Sequence, residues 1–219
     1  MLRVMVLAMC LGATSTLFAR ATADEEPIIT LKTSIYDLAG ANNQISLVIG
    51  AVEDMWIDVD CGFGTEEYEL RATPLDTTMG TLIYCTVDKN ATIKIYGEKP
   101  EAITYINAEG CYLTSADFTK LTNLDILNLN HNELTDIDLS KNTKIRALYV
   151  SDNPFTEATP LVIGEKDSLI ILEIPMVGYL DPNFDMTKYP ELRSFDAYYT
   201  RTLTKIDPTK CPNLMQLTL

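Results

Sequence analysis

The chain is poor in the residues from which most site chemistry is built. It has one His, one Trp and five Cys in 219 residues. A single His leaves almost nothing for imidazole acid–base work or a His-rich metal site. Positive charge is scarce as well: 17 Lys+Arg stand against 31 Asp+Glu, a net charge of −14. That balance argues against a nucleic-acid partner, because phosphate binding needs clustered Lys and Arg. There is no phosphate-cradling Gly loop, HExxH, CxxC or G-x-S-x-G. No motif calls for a cofactor, so none is expected. Hydrophobic residues make up 47% of the chain, which is enough for a real core in one or two domains.

Long apolar runs are missing too. The longest runs from Val4 to Ala19 and is diluted by Thr14, Ser15 and Thr16. That is short for the ~30 Å of a bilayer core. It follows Arg3, no acid occurs before residue 24, and Ala19-Arg20-Ala21 and Ala21-Thr22-Ala23 both fit a small-x-small cleavage site. Residues 1–23 therefore read as a secretory signal peptide. A lipidated Cys10 fits less well, because Met9 is large and the apolar run would be cut in its middle. Removal of residues 1–23 leaves 196 residues and no membrane-spanning segment, and loss of Arg3 and Arg20 takes the charge to −16. Cys61, Cys85, Cys111 and Cys211 remain, in a compartment that permits disulfides. Three full pairings are open. Cys61 and Cys85 both fall in the first half and can pair.

What is present is a repeat. Leu124, Leu127, Leu129, Asn132 and Leu134 follow L-x-x-L-x-L-x-x-N-x-L. The register recurs 21 residues later in Ile145, Leu148, Val150, Asn153 and Phe155. It recurs 21 residues earlier in Ile103, Ile106, Ala108, Cys111 and Leu113. Looser copies begin at Leu169, Leu192 and Leu214, the first two with Val177 and Thr200 in place of Asn. Apolar positions 1, 4, 6 and 11 point into one interior, and the middle pair lies on a short strand. One such unit cannot bury that face alone, so neighbours must stack into a solenoid with a parallel sheet. Cys111, Asn132 and Asn153, at position 9, are expected to form a buried ladder that satisfies backbone groups where the chain leaves the strand.

This pattern resembles the leucine-rich repeat, and it covers about residues 103–219. Leu134-Thr-Asp-Ile137-Asp-Leu139-Ser-Lys-Asn-Thr is similar to the short repeats of secreted bacterial proteins. Surface proteins of Bacteroidota and internalin-type adhesins are the families it resembles. The resemblance implies a secreted or outer-surface bacterial location, a virulence-associated adhesion role and a non-catalytic binding function.

Residues 27–100 lack the period. They show short alternating runs at 28–33, 44–49, 55–59, 68–71, 81–87 and 91–96, separated by turn signals such as Gly62-Phe63-Gly64. Six strands in that length predict a small β-sandwich. Trp56 to Gly64 is similar to the strand and turn of PKD-type β-domains, with Cys61 and Phe63 departing from that pattern. The expected organisation is a signal peptide at 1–23, a capping β-domain at 24–101 and repeats at 102–219. The fold class is thus mixed and mostly β. The chain stops inside the sixth repeat, with Leu214, Leu217 and Leu219 uncovered, which predicts a longer protein or a partner over that end.

Strand positions that do not face the interior form ladders on the concave face. Position 3 reads Tyr105, Ile126, Ala147, Ile171, Ser194 and Gln216. Position 5 reads Asn107, Asn128, Tyr149, Glu173, Asp196 and Thr218. Position 7 reads Glu109, Asn130, Ser151, Pro175 and Tyr198. Aromatics with Asn give contact area and hydrogen bonds at low entropy cost, so a protein partner is expected here. The candidate contacts are Tyr105, Asn107, Ile126, Asn128, Asn130, Tyr149, Ile171, Glu173, Asp196 and Tyr198. A glycan stacked on Tyr149 and Tyr198 is the alternative.

The remaining chemistry is thin. His131 reads as an exposed turn residue, Cys111 as a buried structural thiol, and Cys211 as a free thiol in the outer part of its repeat. Asp58, Asp60 and Gly62 resemble a fragment of a calcium loop, but Phe63 stands where Gly is required, so a turn is expected and no metal. Asn90-Ala91-Thr92 fits a glycosylation sequon. Glu109, Asp152, Glu173 and Asp196 lie near strands, and Glu173 with Asp196 share position 5. A carboxylate-dependent hydrolase is the remote alternative.

Overall fold

The computed structural model describes residues 25–37, 42–75, 77–89, 91–203 and 206–219. The signal-peptide reading, Cys10 and Asn90 of the sequon lie outside the described residues.

Among the described residues thirteen strands form two sheets. The first half supplies β1 (Ile29–Thr33), β2 (Gln44–Ala51), β3 (Met55–Asp60), β4 (Thr65–Leu70), β5 (Thr81–Thr86) and β6 (Ile93–Tyr96). Alternation builds them: in β3, Met55, Ile57 and Val59 are buried while Trp56 faces outward. The run expected at 68–71 is a strand that starts earlier, at Thr65. Glu66 and Glu67 hide it from a hydrophobicity pattern, and the turn through Gly62 (φ +103°) and Gly64 (φ +114°) sets its register against β3, Asp60 opposite Thr65. Asp60 Oδ1 accepts from the Gly62 amide at 2.9 Å, so the acid closes the turn.

The second half supplies the solenoid: β7 (Ile103–Asn107), β8 (Leu113–Asp117), β9 (Ile126–Asn128), β10 (Ala147–Tyr149), β11 (Ile171–Glu173), β12 (Ser194–Asp196) and β13 (Gln216–Thr218). From β7 through β9 to β13, neighbouring strands pair in parallel, each with its counterpart one repeat away. Leu124, Leu127, Leu129, Ile145, Leu148, Val150, Leu169, Leu172, Ile174, Leu192 and Phe195 are fully buried, as their repeat positions demand. The molecule is a small β-sandwich followed by a leucine-rich-repeat-type solenoid with its parallel sheet on the concave face.

The halves are not merely adjacent. One sheet runs β13-β12-β11-β10-β9-β7-β2-β5, and the other runs β4-β3-β6-β1-β8. The first repeat therefore belongs to both: β7 pairs antiparallel with β2, and β8 with β1. The apolar core runs through both halves, from Ile28 to Cys211. Strand β2 stands where a preceding repeat would, so the sandwich covers the solenoid's first coil with hydrogen-bonded backbone. The Cys61–Cys85 disulfide ties the end of β3 in one sheet to β5 in the other. Cys111 and Cys211 are free and buried.

Two ladders order the coils. At position 9, Asn132 accepts from the Leu113 amide (2.9 Å) and donates to the carbonyls of Ala108 and Leu129 (2.9 Å each). Asn153 repeats this one coil on, accepting from Leu134 and donating to Leu129 and Val150. In the first coil the Cys111 thiol donates to Ser46 of β2, again putting β2 in the role of a repeat. Thr200 reaches the Ile174 carbonyl in the same way.

The second ladder lies three residues before each position 1 and reads Leu121, Asn142, Lys166, Tyr189 and Cys211. From Asn142 onward these side chains reach back to a carbonyl of the preceding coil: Asn142 to Phe118 and Leu121, Lys166 to Leu139, Tyr189 to Gly164, and Cys211 to Met186 and Tyr189. Short Asp-x-Ser/Thr-Lys turns precede four of these positions. Asp117, Asp138, Asp185 and Asp207 each accept from the amide two residues on.

Lys166 is the costly member. It is 1% exposed, and burial pushes its ammonium down to about 8. A lysine whose pKa is lowered on folding opposes folding while it is protonated, and that cost fades as pH rises from about 8 towards its unfolded value near 10.5. Lys166→Met is expected to raise the unfolding free energy at pH 7 by about 2 kcal/mol. The Leu139 carbonyl keeps the Asn142 amide as a partner. The check is urea denaturation at pH 7 and pH 10, where the gain should shrink at the higher pH. An equal gain at both would mean that Lys166 is not paying for a buried charge.

Candidate functional site

The concave face is built by the backbone register. Position 3 aligns Tyr105, Ile126, Ala147, Ile171, Ser194 and Gln216 across successive strands. Position 5 aligns Asn107, Asn128, Tyr149, Glu173, Asp196 and Thr218. Antiparallel pairing continues the position-5 row onto the sandwich, through Val48 of β2 to Leu82 of β5. Leu82 and Tyr84 are exposed there. This extension was not visible in the sequence, because nothing local marks β2 as the neighbour of the first repeat.

The candidate contacts divide by environment. Ile126, Asn128, Asn130, Tyr149, Ile171, Glu173 and Asp196 are half-buried, as is Asn107, and Tyr198 is 50% exposed. Tyr105 is only 5% exposed. It packs over Gly50, where an added Cβ would come within 3.0 Å of the Tyr105 Cβ. Tyr105 is therefore part of the floor of the face.

Several of the polar groups are occupied by the fold. Asn107 and Asn128 accept from the amides of Glu109 and Asn130, two residues on (3.0 Å each), and Asp196 does the same for Tyr198 at 3.1 Å. Asn128 donates to Glu109 across the coil at 2.9 Å, and Asn130 accepts from the Ser151 amide at 2.7 Å. These side chains hold the strand exits in shape and offer a ligand only their remaining valences.

The exits share a backbone feature. Position 8 is left-handed in each described copy from the first to the fifth: Gly110, His131, Asp152, Met176 and Tyr199, with φ between 53° and 64°. L-residues rarely adopt this conformation, and it costs roughly 1–2 kcal/mol per non-Gly residue. It sets an exposed rim beside the concave face. His131 Nδ1 meets Asp152 Oδ2 at 3.0 Å along it. Tyr198 and Tyr199 meet edge to face, ring centroids 4.5 Å apart.

Electrostatics single out one row. Glu173 and Asp196 are register partners on adjacent strands. Burial first, and then the Asp196 charge, holds the Glu173 carboxyl above the ordinary carboxylate range. Burial first, and then Glu173, raises the neighbouring Tyr149 phenol. Two acids off this face are paired: Arg146 forks onto Asp125 at position 2, and Lys99 meets Glu53 at 2.7 Å. Among the described residues no group of three His, Cys, Asp or Glu side chains is arranged to hold a metal ion. None of their helices is long and apolar enough to cross a membrane.

The fold and this face define the class: a leucine-rich-repeat-type solenoid with an integral β-sandwich. No protein-family model matches the chain, and no curated protein matches it. Among solved structures it is similar to the functional domain of InlJ from Listeria monocytogenes, described as including a cysteine ladder, at 19% identity and a TM-score of 0.33. That match covers 61% of this chain and 37% of the other.

Proposed function

We propose that this protein is a non-catalytic binding module that holds a protein partner on its concave face, at the surface of or secreted by a bacterium. The observation that carries this reading is the set of half-exposed Ile126 and Ile171 at position 3 and Tyr149 at position 5 on a hydrogen-bonded sheet, with exposed Tyr198 at position 7. Such side chains bury large area at little entropy cost on a scaffold that is already ordered. Export is supported by the apolar, acid-free segment at 1–23 and by the Cys61–Cys85 disulfide, a bond suited to an oxidising compartment. The sandwich is read as a PKD-like domain and the whole as an adhesion module of the kind found in Bacteroidota. The 24–101 and 102–219 division is retained as sequence units, with the first repeat shared between the sheets.

The test is a binding screen of the chain from residue 24 onward against host proteins and glycans. Tyr149→Ala combined with Asn128→Ala is expected to weaken a recovered protein partner at least tenfold, read by calorimetry. Unchanged affinity would remove the concave face as the site. The exposed Tyr198–Tyr199 pair favours one second reading, a sugar ring stacked on the rim. A glycan hit abolished by Tyr198→Ala but indifferent to Tyr149→Ala would select it.

A further inference from the structure

The chain has 17 Lys and Arg, and the concave face carries none of them. Positions 3, 5 and 7 hold no cation in any repeat. The outward residues of β2 and β5 (Ser46, Val48, Leu82, Tyr84) add none. Acids are present on the same surface: Glu109, Glu173 and Asp196. Two nearby cations, Arg146 and Arg193, stand at position 2, on the N-terminal side of their strands, and Arg146 is forked onto Asp125.

The third to fifth repeats concentrate the contrast. In adjacent coils Tyr149, Glu173 and Asp196 lie side by side, with strands spaced ~4.8 Å apart. Pro175 and Tyr198 follow at position 7, and Met176 and Tyr199, both exposed, at position 8. Asp196 spends one oxygen on the Tyr198 amide. Like charges directly opposite on neighbouring strands work against the fold. A ligand cation would neutralise both carboxylates, and the neighbouring tyrosine rings are able to take a cation on their faces.

We infer that the partner of this face is a protein segment carrying Arg or Lys, laid across the third to fifth repeats with a cationic side chain at Glu173 and Asp196 and its apolar flank against Tyr149 and Tyr198. This rests on the concave-face reading above and names the chemistry of the partner. It also gives the face a use for its charge: a negative surface with no competing cation speeds encounter with a basic segment and rejects acidic ones.

The experiment uses the chain from residue 24 with three probes: hexaarginine, hexalysine and hexaglutamate peptides, measured by calorimetry at low and physiological salt. Binding of hexaarginine or hexalysine, absence of hexaglutamate binding, and a loss of tenfold or more in Glu173→Gln with Asp196→Asn is the expected result. The control is Glu101→Gln with Glu157→Gln, which removes the same charge from exposed positions away from the face and should change affinity less than twofold. Equal losses in both double variants would show general attraction to an acidic protein and overturn the inference. So would no binding of either basic peptide. Glu173→Gln with Asp196→Asn should also melt no lower than the parent, so a binding loss cannot be misread as unfolding. If a partner recovered in the screen is lost with Tyr149→Ala and Asn128→Ala yet kept with Glu173→Gln and Asp196→Asn, the face stands as the site and the basic-partner inference falls.

Discussion

Asn132→Ala is expected to lower the unfolding free energy by about 3 kcal/mol, measured by urea denaturation followed in the far-UV. The side chain is 5% exposed, and its amide serves four backbone groups on two coils: the Leu113 amide and the carbonyls of Ala108, Leu129 and Asn130. Truncation leaves these without their side-chain partner in a space too enclosed for easy rehydration, so the loss exceeds that of one average hydrogen bond. Leu127→Ala, one strand position inside the same coil, gives a scale for comparison at roughly 2–5 kcal/mol through its cavity. Asn132→Asp discriminates between mechanisms: it keeps an acceptor for Leu113 but loses the donated bonds. A variant as harmful as Ala would place the weight on the donated bonds. A neutral Asn132→Ala would mean that the ladder merely accompanies the coil packing.

Removal of the Cys61–Cys85 disulfide should cost about 3 kcal/mol. The two cysteines are 24 residues apart, and closing a loop of that size removes roughly this much chain entropy from the unfolded state. The position of the bond adds to the effect, because it joins the residue that follows β3 of one sheet to β5 of the other and so links the two layers of the sandwich. The chain's lone Trp is Trp56 on β3, which makes fluorescence a local reporter of this half. The expected result is a lower urea midpoint for Cys61→Ala with Cys85→Ala. Dithiothreitol should shift the parent by a similar amount and leave the double variant unmoved. A parent whose midpoint ignores reductant would show that the bond does not restrain the unfolded chain.

The repeat half was legible because one spacing fixes both what is buried and what is paired. Leu124, Leu127 and Leu129, copied at intervals of 21 to 24 residues, placed the strands and the concave ladders with no long-range information. What escaped were features set by contact between remote segments. The burial of Tyr105 depends on Gly50 in a strand of the other half. The pairing of β8 with β1 joins residues some eighty apart, and Leu113 to Asp117 read locally as the second half of a repeat. The ladder of Leu121, Asn142, Lys166, Tyr189 and Cys211 escaped for a different reason. What its polar members share is reach to a carbonyl of the coil before, a property that a search by residue type passes over. Of the candidate site, the row order was legible and the internal use of Asn107, Asn128 and Asn130 was not, since an Asn that holds a turn and an Asn that awaits a ligand look alike in one sequence.

The shared sheets have a mechanical meaning. Between many tandem modules a linker yields first, and its slack lets each module turn. Here β2 with β7 and β1 with β8 clamp the first coil on both layers. Bending at this point would have to open two antiparallel ladders together. A load carried by the concave face would therefore pass into the sandwich through backbone hydrogen bonds, and the direction in which that face points is set by the sandwich, as a blade's angle is set by its handle.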